Sequence, residues 1–559
     1  MSNSLTVAVA QLNPVMGDMF ANVAKLIAAW DEAREQDVDL LLTSELYITG
    51  YPTEDFVLKP RHHKIIRESI DHLAQQTASG PAILLGTPWL EEGNLYNAIL
   101  LLEGGQIVEK RFKCELPNYG PFDEKRIFIS APLPDVIEWR DFKLGVMTCE
   151  DMWFKAIPSH LAAQGAELFL VANGSPYALN KQPIRYEKAL NRIEETGVPV
   201  IYCNQVGGQD QLLFDGASFA FNQAGKLISL APSWEEAIRY ITCEHDESGV
   251  LLLKQGKVSG EREELEELYL GLMTGIRDFV RKNKFENVIL GLSGGIDSAL
   301  VALLAVDALG ASHVKALMMP SPYTSADSRE DASKLAKALS IHLDTVPIAG
   351  IMKAFDAALV EQFMGLEPDV TEENIQARIR GMILMAVSNK SGAMLLATGN
   401  KSEMAVGYTT LYGDMCGGYA PLKDIYKTKV YELVEWRNAN KPMAAKGPDG
   451  SPVPARILLK APTAELRPNQ KDQDTLPPYE VLDKILVHLL EGNLGVAETI
   501  SMGQHSDTVR RVCMMLDRAE HKRKQSPPGP RVTNCHFGLD RRYPITNRYA
   551  DRWQTVTTD

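Results

Sequence analysis

Residues 287–309 read NVILGLSGGIDSALVALLAVDAL. An apolar run leads into a small Gly/Ser loop, and the loop into a longer apolar stretch of helical composition. Strand, glycine loop and helix in that order form an anion cradle. Backbone N–H groups at the helix N-terminus point outward, and the helix dipole favours negative charge. Gly294 and Gly295 let the backbone approach a ligand closely, and Ser293 and Ser298 add hydroxyl donors. The loop is not a Walker A loop, which needs GxxxxGK[ST], nor a dinucleotide fingerprint, which needs GxGxxG. It carries a carboxylate, Asp297, where a phosphate loop would carry lysine. A carboxylate beside a polyphosphate is repulsive unless a cation lies between them, and Mg2+ bridges carboxylates and phosphate oxygens. Asp297 therefore reads as a holder of Mg2+ on a nucleotide triphosphate. The plainer alternative is an acidic first-turn residue of a capped helix.

Working outward, HVKALMM (313–319), HLDTVPI (342–348) and AMLLATG (393–399) are further strands with helices between them. That alternation predicts a Rossmann-like, mostly parallel sheet with helices on both faces. The segment NANKPMAAKGPDGSPVP (438–454) has the Pro/Gly/Lys content of a mobile loop. Upstream, KQGKVSGEREELEELYLGLMTGIRDFVRKN (254–283) is a charged linker followed by an amphipathic opening helix. Before it, LTVAVAQL, VDLLLTSE, PAILLGTPWL, LYNAILLL, FKLGVMTCED, ELFLVAN and VPVIYCNQVG read as strands in a layered α/β domain. Two domains are expected, residues 1–255 and 256–559.

The bulk numbers agree. A chain of 559 residues is too long for one ordinary core. A net charge of -14 argues against a nonspecific nucleic-acid surface. No run reaches the length of a membrane span, and the first residues read as a strand rather than a signal peptide. Seven cysteines lie scattered outside any metal spacing, which fits a reducing cytoplasm.

Three stretches of the first domain carry chemistry. LLTSELYITGYP ends a strand with Glu45, KRFKCELPNYGPFDEKRIF carries Lys113, and GVMTCEDMW ends another strand with Cys149. Cysteine attacks as thiolate, a carboxylate can take its proton, and a lysine can stabilise an oxyanion. Each residue alone is ordinary packing or surface; the weight lies in the triple. Glu–Lys–Cys in this order resembles the nitrilase, or carbon–nitrogen hydrolase, superfamily. That resemblance implies an α-β-β-α sandwich and amide hydrolysis through a thioester. It makes Glu45 the general base, Lys113 the oxyanion stabiliser, Cys149 the nucleophile and Glu124 a second glutamate of the site. Proline usually precedes the first glutamate; here it is Ser44.

SGGIDSA resembles the pyrophosphate loop of the ATP pyrophosphatases, which cleave ATP between the α- and β-phosphates. The combination, with KCELPNYGPFDE and CEDMW, resembles the glutamine-dependent NAD+ synthetase family over the whole chain. The resemblance implies ATP, deamido-NAD+ and glutamine as substrates, Mg2+ as cofactor, and a homo-oligomer, at least a dimer through the synthetase domain. It places Tyr119, Glu124, Ser175 and Lys181 at the glutamine pocket. It gives Lys427 to ATP phosphates, Glu403 to Mg2+ as second carboxylate, and Asn374, Arg378, Thr398, Glu403, Asp414 and Lys522 to deamido-NAD+. Lys460 belongs to a loop that closes over the ligands, and the basic tail 522–549 to the anionic substrate. In ENIQARIRGMILMAVSN, Ile375, Ile379, Met382 and Ile383 form the apolar stripe of a helix. Ammonia-only members usually read DE where this chain has Asp472-Gln473. Rival amidotransferases need a Cys-His-Glu glutaminase or an N-terminal cysteine, whereas position 2 is Ser2.

Overall fold

The structure, a computed structural model, describes residues 4–548; residues 1–3, with Ser2, and Tyr549 of the tail lie outside the described residues. The chain divides into two compact units between Arg262 and Glu263.

In the first unit the elements are β1 (Ser4–Gln11), α1 (Met19–Glu35), β2 (Leu40–Leu42), α2 (Pro60–Gln76), β3 (Ala82–Glu91), β4 (Asn94–Glu103) and β5 (Gln106–Phe112). Then come β6 (Ile137–Trp139), β7 (Phe142–Thr148), α3 (Ala156–Ala163), β8 (Leu168–Asn173), α4 (Lys181–Thr196) and β9 (Val200–Asn204). A hairpin of β10 (Val206–Gln209) and β11 (Leu212–Asp215) precedes β12 (Phe219–Phe221), β13 (Leu227–Leu230), β14 (Ala237–His245) and β15 (Leu251–Leu253). One sheet has the order β15-β14-β1-β2-β3-β4-β5, the other β13-β12-β9-β8-β7-β6. The strands at the middle of each, β1-β2-β3 and β7-β8-β9, are parallel. Period-2 alternation explains the layering. Leu144, Val146, Leu168, Leu170 and Ala172 face Val7, Val9, Leu42 and Leu84 of the other sheet. The intervening Met147, Phe169 and Val171 face Ile157 and Leu161 of α3 and Ala189 and Ile193 of α4. With α1 and α2 this makes the α-β-β-α sandwich that the resemblance implies.

The second unit opens with α5 (Glu264–Lys282) and β16 (Val288–Gly291), α6 (Ile296–Leu309), β17 (Val314–Met318), α7 (Ala326–Ala338), β18 (His342–Thr345), α8 (Ala349–Leu359), α9 (Val370–Ser391) and β19 (Met394–Leu396). It continues with α10 (Lys401–Val406), α11 (Lys427–Ala439), α12 (Ala455–Leu459), α13 (Tyr479–Leu490), α14 (Val496–Ser501), α15 (Ser506–Arg518) and α16 (Glu520–Arg523). All four strands are parallel, in the order β18-β17-β16-β19. The direction of winding reverses at β16, and the crevice at such a switch point is where α/β sheets bind ligands. α6 is buried except at Asp297, so the loop before it is held rigidly. Among the described residues no helix is long and apolar enough to cross a membrane.

Three details differ from expectation. On α9, Ile379 is buried and Ile375 and Ile383 pack against Met319 and Ile348, but Met382 is 67% exposed. The buried arc follows the i, i+4 row 375–379–383 and takes in Leu384, leaving Met382 on the flank. Residues 438–454 are irregular but tied down. Asn438 exchanges two hydrogen bonds with Val453, and Gly447 N–H and the buried Arg437 both bind Asp307. The basic tail pairs inward: Arg531 with Asp540, Arg541 with Asp517, and Arg523 with Glu520.

Candidate active sites

In the first unit the ends of parallel strands deliver the chemistry. β2 runs out just before Glu45, β7 just before Cys149 and β8 just before Gly174, while β5 ends immediately before Lys113. Glu45 Oε1 accepts from Lys113 Nζ and from Asn97 Nδ2, both at 2.7 Å, and Oε2 accepts from Gly174 N–H at 2.9 Å. Lys113 also reaches Glu124 Oε2 at 2.9 Å, and Tyr51 donates to Glu124 at 2.9 Å. The backbone around Glu45 sits so close to β3 that a Cβ on Gly86 would lie 2.2 Å from Ser44 O. Ser44, at the position where proline is usual, has a buried Oγ with no hydrogen-bond partner among the described residues.

The electrostatics follow from burial. Desolvation alone would lower the Lys113 ammonium, but Glu124 and Glu45 hold it well above its ordinary value. Burial pushes Glu124 up to about 7 against the pull of Lys113. Cys149 opens a tight turn, Cys149–Met152, with φ 44°, and is 6% exposed. Burial, then Glu45, push its thiol well above the usual value, against Lys113. A thiol raised in this way would need a base to take its proton before the sulfur could act as a nucleophile.

Of the residues expected at a glutamine pocket, Tyr119 donates to Glu150 at 2.9 Å, next to Cys149. Lys181 Nζ lies 4.3 Å from the centre of the Trp153 ring. Ser175 is buried, and its Oγ accepts from Arg185 Nε at 3.0 Å. Arg185, itself fully buried, pairs with Asp215 at 2.7 Å and also donates to the Ser175 and Pro176 carbonyls. Sequence reasoning missed Asn97, Tyr51, Arg185 and Asp215. Asn97 had a readable signal, a lone amide inside the apolar run LYNAILLL.

The second unit holds a cavity of about 300 Å3 at the switch point. Its lining includes the loop from Ser293 to Ser298, Thr398, Glu403, Asp414, Lys427 and Lys460. The two glycines differ. Gly294 has φ 82°, and a Cβ there would lie 2.3 Å from Ser328 O; Gly295 would meet only Ser293 Oγ, at 3.3 Å. Gly294 is thus demanded by the protein's own backbone, and Gly295 is the one left open. Ser298 is buried and donates to Gly295 O at 3.0 Å, so it shapes the loop.

Asp297 Oδ1 accepts from Asn400 Nδ2 at 2.9 Å, and Oδ2 binds the Lys427 ammonium. The same ammonium lies 3.1 Å from Glu403 Oε1. Burial pushes Glu403 up to about 7, opposed by Lys427 and reinforced by Asp297 and Asp472. Lys427, expected on phosphates, here rests on the two carboxylates. Their meeting point is a place that demands positive charge. Among the described residues no group of three or more His, Cys, Asp or Glu could hold a metal. A Mg2+ held by two carboxylates and substrate phosphates needs no such group, so the pair fits it.

Asn374, Arg378 and Lys522 gather on the loop 407–414 rather than on the cavity wall. Asn374 Oδ1 accepts from Thr410 Oγ1 at 2.9 Å, and Arg378 Nε donates to Leu411 O at 3.2 Å. Lys522 Nζ donates to the Gly407 and Thr409 carbonyls, both at 2.7 Å, and Asp414 accepts from Thr410 N–H at 2.7 Å. Burial pushes Asp414 up to about 6. Lys460 binds Glu465 at 3.0 Å and the Ser328 hydroxyl. Asp472 is buried and accepts from Tyr479 at 2.9 Å and Tyr408 at 3.2 Å, whereas Gln473 is exposed. The departure from the DE pattern therefore falls outside the packed site.

Residues 6–249 match the carbon–nitrogen hydrolase family and residues 268–526 the NAD synthase family. A glutamine-dependent NAD(+) synthetase of Rhodobacter capsulatus is 47% identical over 552 residues, 99% of this chain and 100% of that protein. One from Thermotoga maritima is 42% identical, covering 98% and 99%. The solved structure of glutamine-dependent NAD+ synthetase from Acinetobacter baumannii in complex with ADP is 39% identical, with TM-score 0.77 over 97% of this chain and 99% of that one. With two family matches in tandem and full-length identity at this level, the chain belongs to the glutamine-dependent NAD+ synthetase family.

Proposed function

We propose that this protein amidates deamido-NAD+ to NAD+ at the expense of ATP, with glutamine as nitrogen donor. The observation that carries this reading is the pairing, in one chain, of a closed Glu–Lys–Cys centre with a carboxylate-lined cavity behind an SGGIDS loop. The ADP complex of the Acinetobacter baumannii relative supports nucleotide binding by this chain.

In the first unit Cys149 Sγ attacks the glutamine amide carbon while Glu45 takes the thiol proton. Lys113 stabilises the oxyanion, ammonia leaves, and water releases glutamate from the thioester. Tyr119, Glu124, Ser175 and Lys181 shape the glutamine pocket. In the second unit a nicotinate carboxylate oxygen attacks the α-phosphorus of ATP and pyrophosphate leaves. Ammonia then attacks the carboxyl carbon and displaces AMP. The loop residues Ser293, Gly294, Gly295 and Ser298, with Lys427 and Lys460, hold the phosphates. Asn374, Arg378, Thr398, Glu403, Asp414 and Lys522 serve the dinucleotide. Mg2+ is the proposed ion; Asp297 and Glu403 would hold it, and there it would neutralise charge on the phosphates.

The protein is also proposed to be a homo-oligomer, at least a dimer through its second unit. α8 buries none of its residues, and Met364, Leu366, Val370 and Met382 around α8 and α9 are all more than half exposed. Light scattering of the purified chain tests this. The reaction is tested by product analysis with ATP, Mg2+, deamido-NAD+ and glutamine. NAD+, AMP, pyrophosphate and glutamate together support it; glutamate without NAD+ moves the acceptor to another carboxylate.

A further inference from the structure

Asp151 is among the buried carboxylates of the first unit that the amide chemistry leaves without a part. Asp151 is 2% exposed and lies two residues after Cys149, inside the same turn. Its Oδ2 accepts from Thr148 N–H at 3.1 Å, and the Thr148 side chain accepts in return from the Asp151 backbone. Its Oδ1 accepts from Cys114 N–H at 3.0 Å and Glu115 N–H at 2.8 Å. Those two donors follow Lys113 directly. One carboxylate thus fastens the turn that carries the nucleophile to the strand end that carries the lysine.

The residue type suits the task. Three backbone donors converge from two segments, and only a carboxylate offers acceptor lone pairs on both oxygens. Burial pushes the Asp151 carboxyl up to about 7, against the pull of the Glu115 N–H, Lys113 and the Thr148 and Cys114 N–H groups. The turn needs such support, because Cys149 holds φ 44° without being glycine. Backbone of that kind persists only where the surroundings over-determine it.

We infer that Asp151 is a positioning residue for amide hydrolysis, fixing where Cys149 Sγ stands relative to Lys113 Nζ by holding both segments on one side chain. This rests on the reading of Cys149 as nucleophile and Lys113 as its oxyanion partner. Asp151 touches neither substrate nor reacting atoms; its effect passes through the two residues it holds.

The test is Asp151→Asn in the full chain. The substitution keeps the shape and one acceptor oxygen but turns an NH2 group toward an N–H donor. The expected result is a fall of about 100-fold in glutaminase kcat, the scale of a misplacement near 1 Å. The KM for glutamine stays within about threefold. Ammonia-driven NAD+ synthesis, which belongs to the other unit, stays near wild type. The rate of Cys149 alkylation by iodoacetamide, read by peptide mass spectrometry, shifts its pH profile upward as Lys113 loses its hold on the thiolate. Glutaminase kcat close to wild type overturns the inference. So does an equal loss of ammonia-driven synthesis, which would make Asp151 a general scaffold residue. Wild-type protein that hydrolyses no glutamine would overturn the underlying site reading instead.

Discussion

The Lys113 ammonium lies 2.7 Å from Glu45 Oε1, with both side chains closed off from solvent. Glu124 meets the same ammonium, so one cation offsets two buried carboxylates. Taking away one partner of a buried ion pair costs about 3–5 kcal/mol, because the remaining charge keeps its desolvation penalty. Lys113→Met should therefore lower the thermal stability of the first unit as well as abolish glutaminase activity. Calorimetry beside a glutaminase assay checks both. An inactive variant with unchanged stability would mean that the two glutamates simply take up protons.

The two candidate sites should separate by nitrogen donor. Cys149→Ala removes the proposed nucleophile and should abolish glutamine-driven NAD+ formation, leaving ammonia-driven formation largely intact. Asp297→Asn removes a carboxylate from the phosphate cavity and should suppress synthesis with either donor by at least about 100-fold. NAD+ production measured with glutamine and with ammonium salt decides. Loss of both in Cys149→Ala would defeat the division of labour.

Much of both sites was legible because apolar runs ended abruptly in a reactive or charged side chain. Glu45, Cys149 and the SGGIDS loop all stand where a strand runs out, and the superfamily resemblance implied the layers. What was not legible depended on distant backbone. Asp151 takes its meaning from N–H groups at Cys114 and Glu115, and Arg185 from Asp215 on a hairpin. Neither partner is visible in local pattern. α2 went unseen although Ile66, Ile70 and Leu73, at i, i+4 and i+7 of PRHHKIIRESIDHLAQQ, are the buried stripe of an amphipathic helix. The inward pairing of the tail arginines was hidden because composition shows charge but not its partners.

The glycines of the SGGIDS loop make a sharper test than the loop as a whole. Gly294→Ala forces a methyl to 2.3 Å from Ser328 O at φ 82°. Strain of that kind costs about 1–3 kcal/mol and must shift the start of α6. Gly295→Ala meets nothing but Ser293 Oγ at 3.3 Å. Gly294→Ala should lose stability even without nucleotide, whereas Gly295→Ala should fold normally and lose only ATP affinity. Thermal unfolding with and without ATP separates the two, and equal behaviour would contradict the geometry.

Asp424 ties the C-terminal segment to the second unit. Its carboxylate lies 2.8 Å from Lys401 Nζ and accepts from Val532 N–H at 2.8 Å and Thr533 N–H at 2.7 Å. Burial alone would raise its pKa, but Lys401, His536 and the Val532 N–H together hold the carboxyl at about 2. A folded pKa below the unfolded one contributes stability that is present above the unfolded value. That stability is lost as pH falls from the ordinary carboxylate range through about 2. The shift is worth about 2 kcal/mol. Asp424→Asn should therefore loosen the segment at neutral pH and remove this acid-sensitive part of its protection. Hydrogen exchange at Val532 and Thr533, corrected for intrinsic rate, reads it directly. Exchange should quicken at least about tenfold in the variant, as the loss of 1.4 kcal/mol or more of local stability requires. Unchanged protection would mean that the segment is held by Lys423 and the Pro527 carbonyl instead, which meet at 2.8 Å.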